Sequence, residues 1–172
     1  IQSYKSNKAK YEQDFIKPYG NFKLDSFSLA GDESDSLPLQ HNLKINYTLH
    51  KSGEYYLLNY NSFTGFDKNP FISTNRFSNI DFGTKYAWTF QQSVSLPSNM
   101  EPETLPKSFR MVTPDNSMSA LREIRRQGDK IEIGLVISIN KPEFTAEEYE
   151  TIRLFYKQLF EVLNEPIVLK TK

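Results

Sequence analysis

The sequence contains no cysteine and only two histidines among its 172 residues. A chain without cysteine has no disulfide, no thiolate metal site and no cysteine nucleophile of its own. His41 and His50 are separated by an odd number of positions, so on one shared strand they would point to opposite faces. We therefore expect two unrelated surface or rim histidines, no metal ion, no cofactor and no catalysis by this chain.

The chain also lacks an excess of charge of either sign, because 21 lysine and arginine residues balance 21 aspartate and glutamate residues. This balance excludes a strong basic field, and we expect no nucleic-acid partner. No apolar run approaches the ~20 residues of a membrane-spanning helix, so no membrane span is expected. The chain begins at Ile1 without a signal peptide, which predicts a processed product or a cut fragment.

Motifs of hydrolases and nucleotide-binding proteins are missing as well. The sequence has no Gly-x-Ser-x-Gly elbow and no glycine-rich phosphate loop. Asp32, Glu33 and Asp35 do not form the Asp-x-Asp-x-Asp-Gly pattern of calcium loops, so we interpret them as a solvated acidic loop. A basic cluster is interpreted as a solvated strand face, with anion binding as the weaker alternative. This cluster consists of Arg122, Arg125 and Arg126.

Aromatic residues, by contrast, are abundant, with 13 Phe, 10 Tyr and 1 Trp, and they favour β-strands. Apolar and polar residues alternate along 43–50, 86–96 and 130–140, which is typical of antiparallel sheets with one solvated face. A Pro-rich connection is predicted at 97–106. Shorter strands are predicted at 22–29, 54–59, 76–82, 108–112 and 118–126.

The last third of the chain predicts one long helix over 145–163. Thr145 is placed to cap its first amides and Glu148 to reach back to the cap, while Phe144 and Tyr149 occupy hydrophobic staple positions. A broad apolar stripe would pack on the sheet, and a short strand follows at 167–170. Its members are Ile152, Phe155, Tyr156, Leu159, Phe160 and Leu163.

These elements predict a mainly β (α+β) fold, namely an antiparallel β-sandwich-like domain with one long C-terminal helix and a final short strand. A chain of this length buries roughly two-thirds of its unfolded surface and needs no disulfide or metal to fold. We expect residues 1–19 to form a helical linker and residues 20–172 to form the β domain.

Two groups of aromatic residues could bind a ligand or a partner. Tyr86, Trp88 and Phe90 could stack on a sugar, but their alternation with polar residues favours a core position. A loop over 60–75 carries Phe63, Phe66 and Phe71 among Asn, Ser and Gly residues, where no strand face accounts for them. They could cover one end of the sheet or form a candidate interface, and both interpretations are left open.

Three segments, in the same order, resemble a family of bacterial envelope proteins. The first segment is Asn69-Pro70-Phe71, followed by Arg76 and Ile80-Asp81-Phe82-Gly83. The second is the pair Leu96-Pro97 and Leu105-Pro106. The third is Phe144, Glu148-Tyr149 and Phe155-Tyr156, followed by Ile167-Val168-Leu169-Lys170. The family is that of the multidomain transglutaminase-like proteins, which carry an N-terminal β domain, a transglutaminase-like core and a C-terminal β domain.

The resemblance covers most of the chain from about residue 20 and implies the C-terminal domain of a periplasmic, cell-envelope or secreted protein. The family's Cys-His-Asp triad lies in the core, which has no counterpart here, so no catalytic residue is carried over. The expected function is that of a non-catalytic accessory domain that docks on the upstream transglutaminase-like domain. An independent glycan- or peptide-binding module is the alternative, and a stand-alone hydrolase is the least favoured.

Overall fold

The computed structural model describes residues 6–17, 22–31, 33, 37–66 and 68–172. Asp32 and Asp35 of the predicted acidic loop lie outside these residues. The chain divides into two units, Ile1–Leu49 and His50–Lys172, which are described separately. The predicted domain limits, 1–19 and 20–172, stay a prediction.

In its described residues, the first unit has one helix and a pair of strands. Helix α1 (Lys8–Ile16) begins after Asn7, whose side chain accepts a hydrogen bond from the amide of Lys10 at 3.0 Å. Strands β1 (Phe22–Ala30) and β2 (Gln40–Tyr47) pair in antiparallel fashion. This helix lies within the segment 1–19 for which a helical linker is predicted.

The described part of the second unit has ten strands in antiparallel sheets. One four-stranded sheet has the order β3-β4-β12-β7, another has the order β6-β10-β9-β8, and β5 pairs with β11. The strands are β3 (His50–Ser52), β4 (Tyr55–Leu58), β5 (Ile80–Asp81), β6 (Tyr86–Ser95), β7 (Met100–Thr104), β8 (Phe109–Val112), β9 (Met118–Gln127), β10 (Lys130–Ile139), β11 (Glu143–Phe144) and β12 (Ile167–Thr171). Short 3-10 helices span Tyr60–Phe63 and Ala146–Glu148.

The long helix forms where the sequence predicts it, as the 3-10 turn 146–148 followed by α2 (Tyr149–Leu163). Glu148 accepts a hydrogen bond from the amide of Thr145 at 2.9 Å, and both staple residues, Phe144 and Tyr149, are buried. The six predicted stripe residues of the helix are buried as well. The mainly β class with one C-terminal helix and a final strand is therefore confirmed.

Strand β10 supplies the centre of the core, because every second residue from Ile131 to Ile139 is almost fully buried. Its neighbours in the sheet are β6 and β9, and the register places Leu135 beside Phe90 on one side and Arg122 on the other. Since side chains alternate between the faces of a strand, these three residues share the inner face of the sheet.

Three local predictions are wrong. The strand expected at 76–82 is limited to Ile80–Asp81, because the preceding residues have no pairing partner among the described strands. The connection at 97–106 contains β7, an edge strand, where Pro102 is tolerated. His41 and His50 lie on different strands, so the shared-strand argument does not apply to them.

Among the described residues, no helix has the length and apolar character needed to cross a membrane.

Candidate functional site

Phe71, one of the three candidate interface residues, lies in the core of the second unit. Only 7% of it is exposed, and its ring meets those of Tyr156, Phe82 and Tyr149 edge-on, with centroids 4.6, 6.1 and 6.3 Å away. The backbone is also held, because the Asn69 side-chain oxygen accepts a hydrogen bond from the Phe71 amide at 2.8 Å. The face of α2 therefore accounts for Phe71, although no strand does.

Phe66 and Phe63 are both half-buried. The ring of Phe66 meets Trp88 of β6 and Phe160 of α2 edge-on, at centroid distances of 5.1 and 6.5 Å. Phe63 ends the 3-10 helix that begins at Tyr60. Phe66 and Phe71 thus fix the ends of the segment between them to helix α2, which favours the interpretation that they cover this unit's own core.

Two exposed apolar residues, Ile72 and Phe77, follow Phe71 in the chain. Their exposed fractions are 78% and 96%, and both lie in a stretch without regular secondary structure. Between them, the Arg76 side chain folds back, and its Nε donates to the carbonyl oxygen of Ser78 at 3.0 Å. Phe77 could not be predicted as a surface residue, because its local sequence predicts a strand. We refer to Ile72 and Phe77 as the 72–77 surface.

A buried arginine lies beneath the C-terminal end of α2. Arg122 of β9 is 2% exposed, and its Nη1 donates to the hydroxyl of Tyr60 at 3.0 Å and to the carbonyl oxygen of Val162. Its Nη2 donates to the carbonyl oxygen of Lys107 at 2.7 Å and to Glu165 Oε2 at 2.6 Å. The interpretation of Arg122 as part of a solvated strand face is therefore wrong, whereas Arg125 and Arg126 are exposed.

This network stabilises the end of the helix. A cation at the C-terminal end of a helix complements the negative end of the helix dipole, and Val162 lies in the last turn. The hydroxyl of Tyr60 also donates to the Val162 carbonyl at 3.1 Å. Burial raises the pKa of Tyr60, against the lowering effect of Arg122. Because Arg122 is buried and donates its hydrogen bonds to other groups of the same chain, we assign it a structural role.

Strand β6 directs three aromatic residues to the inner face of its sheet, as their alternation predicts. These residues are Tyr86, Trp88 and Phe90. Trp88 and Phe90 are half-buried and stack with ring centroids 5.8 Å apart and an interplanar angle of 3°. Tyr86 is more exposed than Trp88 and Phe90. The pKa of Tyr156 is raised by the burial of Tyr156 itself and by its interaction with Tyr86. Because β6 is an edge strand, the row is only partly covered.

Titratable groups in the described residues do not gather into a metal site. No cluster of three or more histidine, aspartate or glutamate side chains is placed to hold a metal ion in the part of the chain that the structure describes. In the first unit, His41 stacks on Phe15 at a centroid distance of 4.4 Å, and its Nε2 lies 2.9 Å from the Tyr11 hydroxyl. Burial lowers the pKa of His41.

Comparison with known proteins places residues 53–169, within the second unit, in a sequence family described as a domain of unknown function with a solved structure, DUF3858. No curated protein matches the chain. A solved structure from Parabacteroides distasonis ATCC 8503, provisionally described as a protease, is similar in fold, with a TM-score of 0.50 and 19% sequence identity. The similarity covers 58% of this chain and 19% of that one. Since the family match spans more than half of its length, the chain belongs to the DUF3858 family.

Proposed function

We propose that this chain is a non-catalytic accessory domain of a larger periplasmic or cell-envelope protein, docked on a transglutaminase-like domain that precedes it. The similar solved chain supports a larger parent, since the shared fold covers only 19% of its length. The absence of cysteine supports a division of labour, because a Cys-His-Asp triad would have to lie elsewhere in the parent. The protease description of the similar protein is consistent with a hydrolase-like parent.

The observation that carries the proposal is the 72–77 surface. Isolated exposed apolar residues are common, but Phe77 is almost fully exposed and Ile72 nearly so within one short segment. The neighbouring Phe71 is buried and fixes the start of this segment to α2. An anchored segment with apolar tips is suited to contact another domain, and aromatic residues are enriched at such contacts.

The net charge of zero favours apolar contact over charge steering as the basis of docking. Phe66 and Phe71, which are candidate interface residues by sequence, then have a different role. Phe66 and Phe71 hold the base of the loop against α2, and Ile72 and Phe77 make the contact. The proposed docking surface therefore lies a few residues further along the chain than Phe66 and Phe71.

The proposal is tested in the longer protein by replacing Ile72 and Phe77 with Ser. We expect faster cleavage by a protease in the linker between the two domains, because an undocked linker is more accessible. Leu154→Ser is the matched control, since Leu154 is also apolar and exposed but lies on α2. Linker cleavage at the wild-type rate in the double variant would contradict docking. Turnover by this chain alone that one of its own substitutions abolishes would contradict the non-catalytic role.

Independent glycan or peptide binding remains the alternative function, and the Trp88–Phe90 stack is the feature that favours it. Phe66 packs against the Trp88 ring, however, which reduces the aromatic surface left for a sugar. We therefore prefer the accessory role. Saturable binding of an oligosaccharide that Trp88→Ala abolishes would reverse this preference.

A further inference from the structure

Strand β6 is a long sheet edge without protection. It pairs with β10 alone among the described strands, so one side of its backbone lacks a ladder partner. The strand is ten residues long and contains no charged residue, no proline and no glycine. Its register with β10 runs without a bulge from Tyr86 to Ser95. Natural sheet edges are normally short, charged, bulged or interrupted by proline, because an open edge is a template for another strand.

The other described edges of the two four-stranded sheets follow this rule. Strand β3 has three residues, and β8 has four. Strand β7 carries Pro102 between Glu101 and Glu103, and its register with β12 shifts at one point. Protection of these three edges makes the open fourth edge a specific feature of β6.

We propose that β6 pairs in antiparallel fashion with β6 of a second copy of this chain, which joins two four-stranded sheets into one eight-stranded sheet across a two-fold axis. A strand without charge can face its own copy without repulsion. A two-fold pairing also uses up the open edge of both copies, so the assembly closes at the dimer.

Side-chain parity and length select the register. The inner faces of the two sheets are continuous only if residues of equal parity oppose each other, and placing Phe90 on the two-fold axis pairs nine residues, from 86 to 94. Trp88 then lies opposite Gln92 of the partner. The side-chain oxygen of Gln92 is buried and has no hydrogen-bond partner, and the indole N–H of Trp88 is a donor. The pairing therefore places an indole donor opposite a side-chain amide whose oxygen lacks a hydrogen-bond partner.

The same register defines a charge test on the solvent face. Thr89 and Gln91 are exposed, and each would lie opposite the other in the partner strand. The double variant T89K/Q91K sets like charges against each other twice, whereas T89K/Q91E sets opposite charges against each other twice. Both variants keep the core residues of β6 unchanged, and melting curves verify that both fold.

Sedimentation velocity of the full 172-residue chain over a range of concentrations measures the dimer. We expect a monomer–dimer equilibrium for the wild type, a rise of about tenfold or more in the dissociation constant for T89K/Q91K, and a wild-type or tighter constant for T89K/Q91E. A wild type that stays monomeric up to about 1 mM would overturn the proposal. A dimer that resists T89K/Q91K, or that both variants weaken equally, would overturn the β6 pairing.

Discussion

The guanidinium of Arg122 donates to the backbone carbonyl of Val162, so a cation on strand β9 holds the C-terminal end of helix α2. The same side chain reaches Tyr60, Lys107 and Glu165, which lie in three other segments of the chain. One buried residue therefore links the helix, the sheet and three connecting segments. This explains why a charged residue is placed on a face that is otherwise lined by apolar residues.

Replacing Arg122 with Met should lower the free energy of unfolding by roughly 2–5 kcal/mol, because buried carbonyl and hydroxyl groups lose their donors. Arg125→Met is the matched control on the same strand, and its exposed side chain should contribute less than about 0.5 kcal/mol. Urea denaturation of the two variants measures the difference. Equal stabilities would mean that the buried network does not hold the helix end.

Helix α2 should be required for folding of the second unit. Phe155→Ala or Leu159→Ala removes a buried side chain from the face that packs on the sheet, and each should cost roughly 2–5 kcal/mol. Leu154→Ala, at the exposed position immediately before Phe155, should cost less than about 1 kcal/mol. A cost below about 1 kcal/mol for both buried positions in denaturant melts would show that the helix is an appendage.

The stability of the first unit should depend on pH through His41. Burial lowers the pKa of the folded residue below its ordinary value of 6.5, so the unfolded chain binds this proton more readily. The stabilising contribution is thus complete above about pH 6.5 and is lost as the pH falls through the lowered pKa. Denaturation at about pH 7.5 and 5.5 tests this, and His41→Gln should reduce the difference in stability between the two pH values. An unchanged pH dependence in His41→Gln would exclude His41 as its source.

Phe71 and Phe77 should differ in how strongly their substitution lowers the stability of the chain. Phe71→Ser removes a ring packed between Tyr156, Tyr149 and Phe82, and it should cost about 3 kcal/mol or more in the isolated chain. Phe77→Ser changes a solvent-exposed side chain and should alter stability by about 0.5 kcal/mol or less. Thermal melts compare the two variants directly. A large loss with Phe77→Ser would assign this residue to the core rather than to a docking surface.

The elements that depend on local sequence could be predicted. Alternation of apolar residues predicts β10, and the Thr145–Glu148 pair together with the apolar stripe predicts α2. These signals act within one element, so they are visible before the chain is folded. The burial of the predicted stripe follows from the same periodicity.

Features that depend on distant partners could not be predicted. Arg122 is buried because Val162, Tyr60 and Glu165 meet it, and nothing in its neighbouring sequence indicates this. Phe71 packs against Tyr156 of helix α2, which follows much later in the chain. Phe77 was assigned to a strand because a residue's local sequence does not reveal whether a second strand is present to pair with it.

Hydrogen exchange of residues 72–79, compared between this chain alone and the longer protein, tests the docking claim most directly. The segment has little regular structure, so its amides should exchange rapidly in the isolated chain. Docking through Ile72 and Phe77 predicts exchange slowed by about tenfold or more in the longer protein. Equal exchange rates in the two proteins would contradict the account.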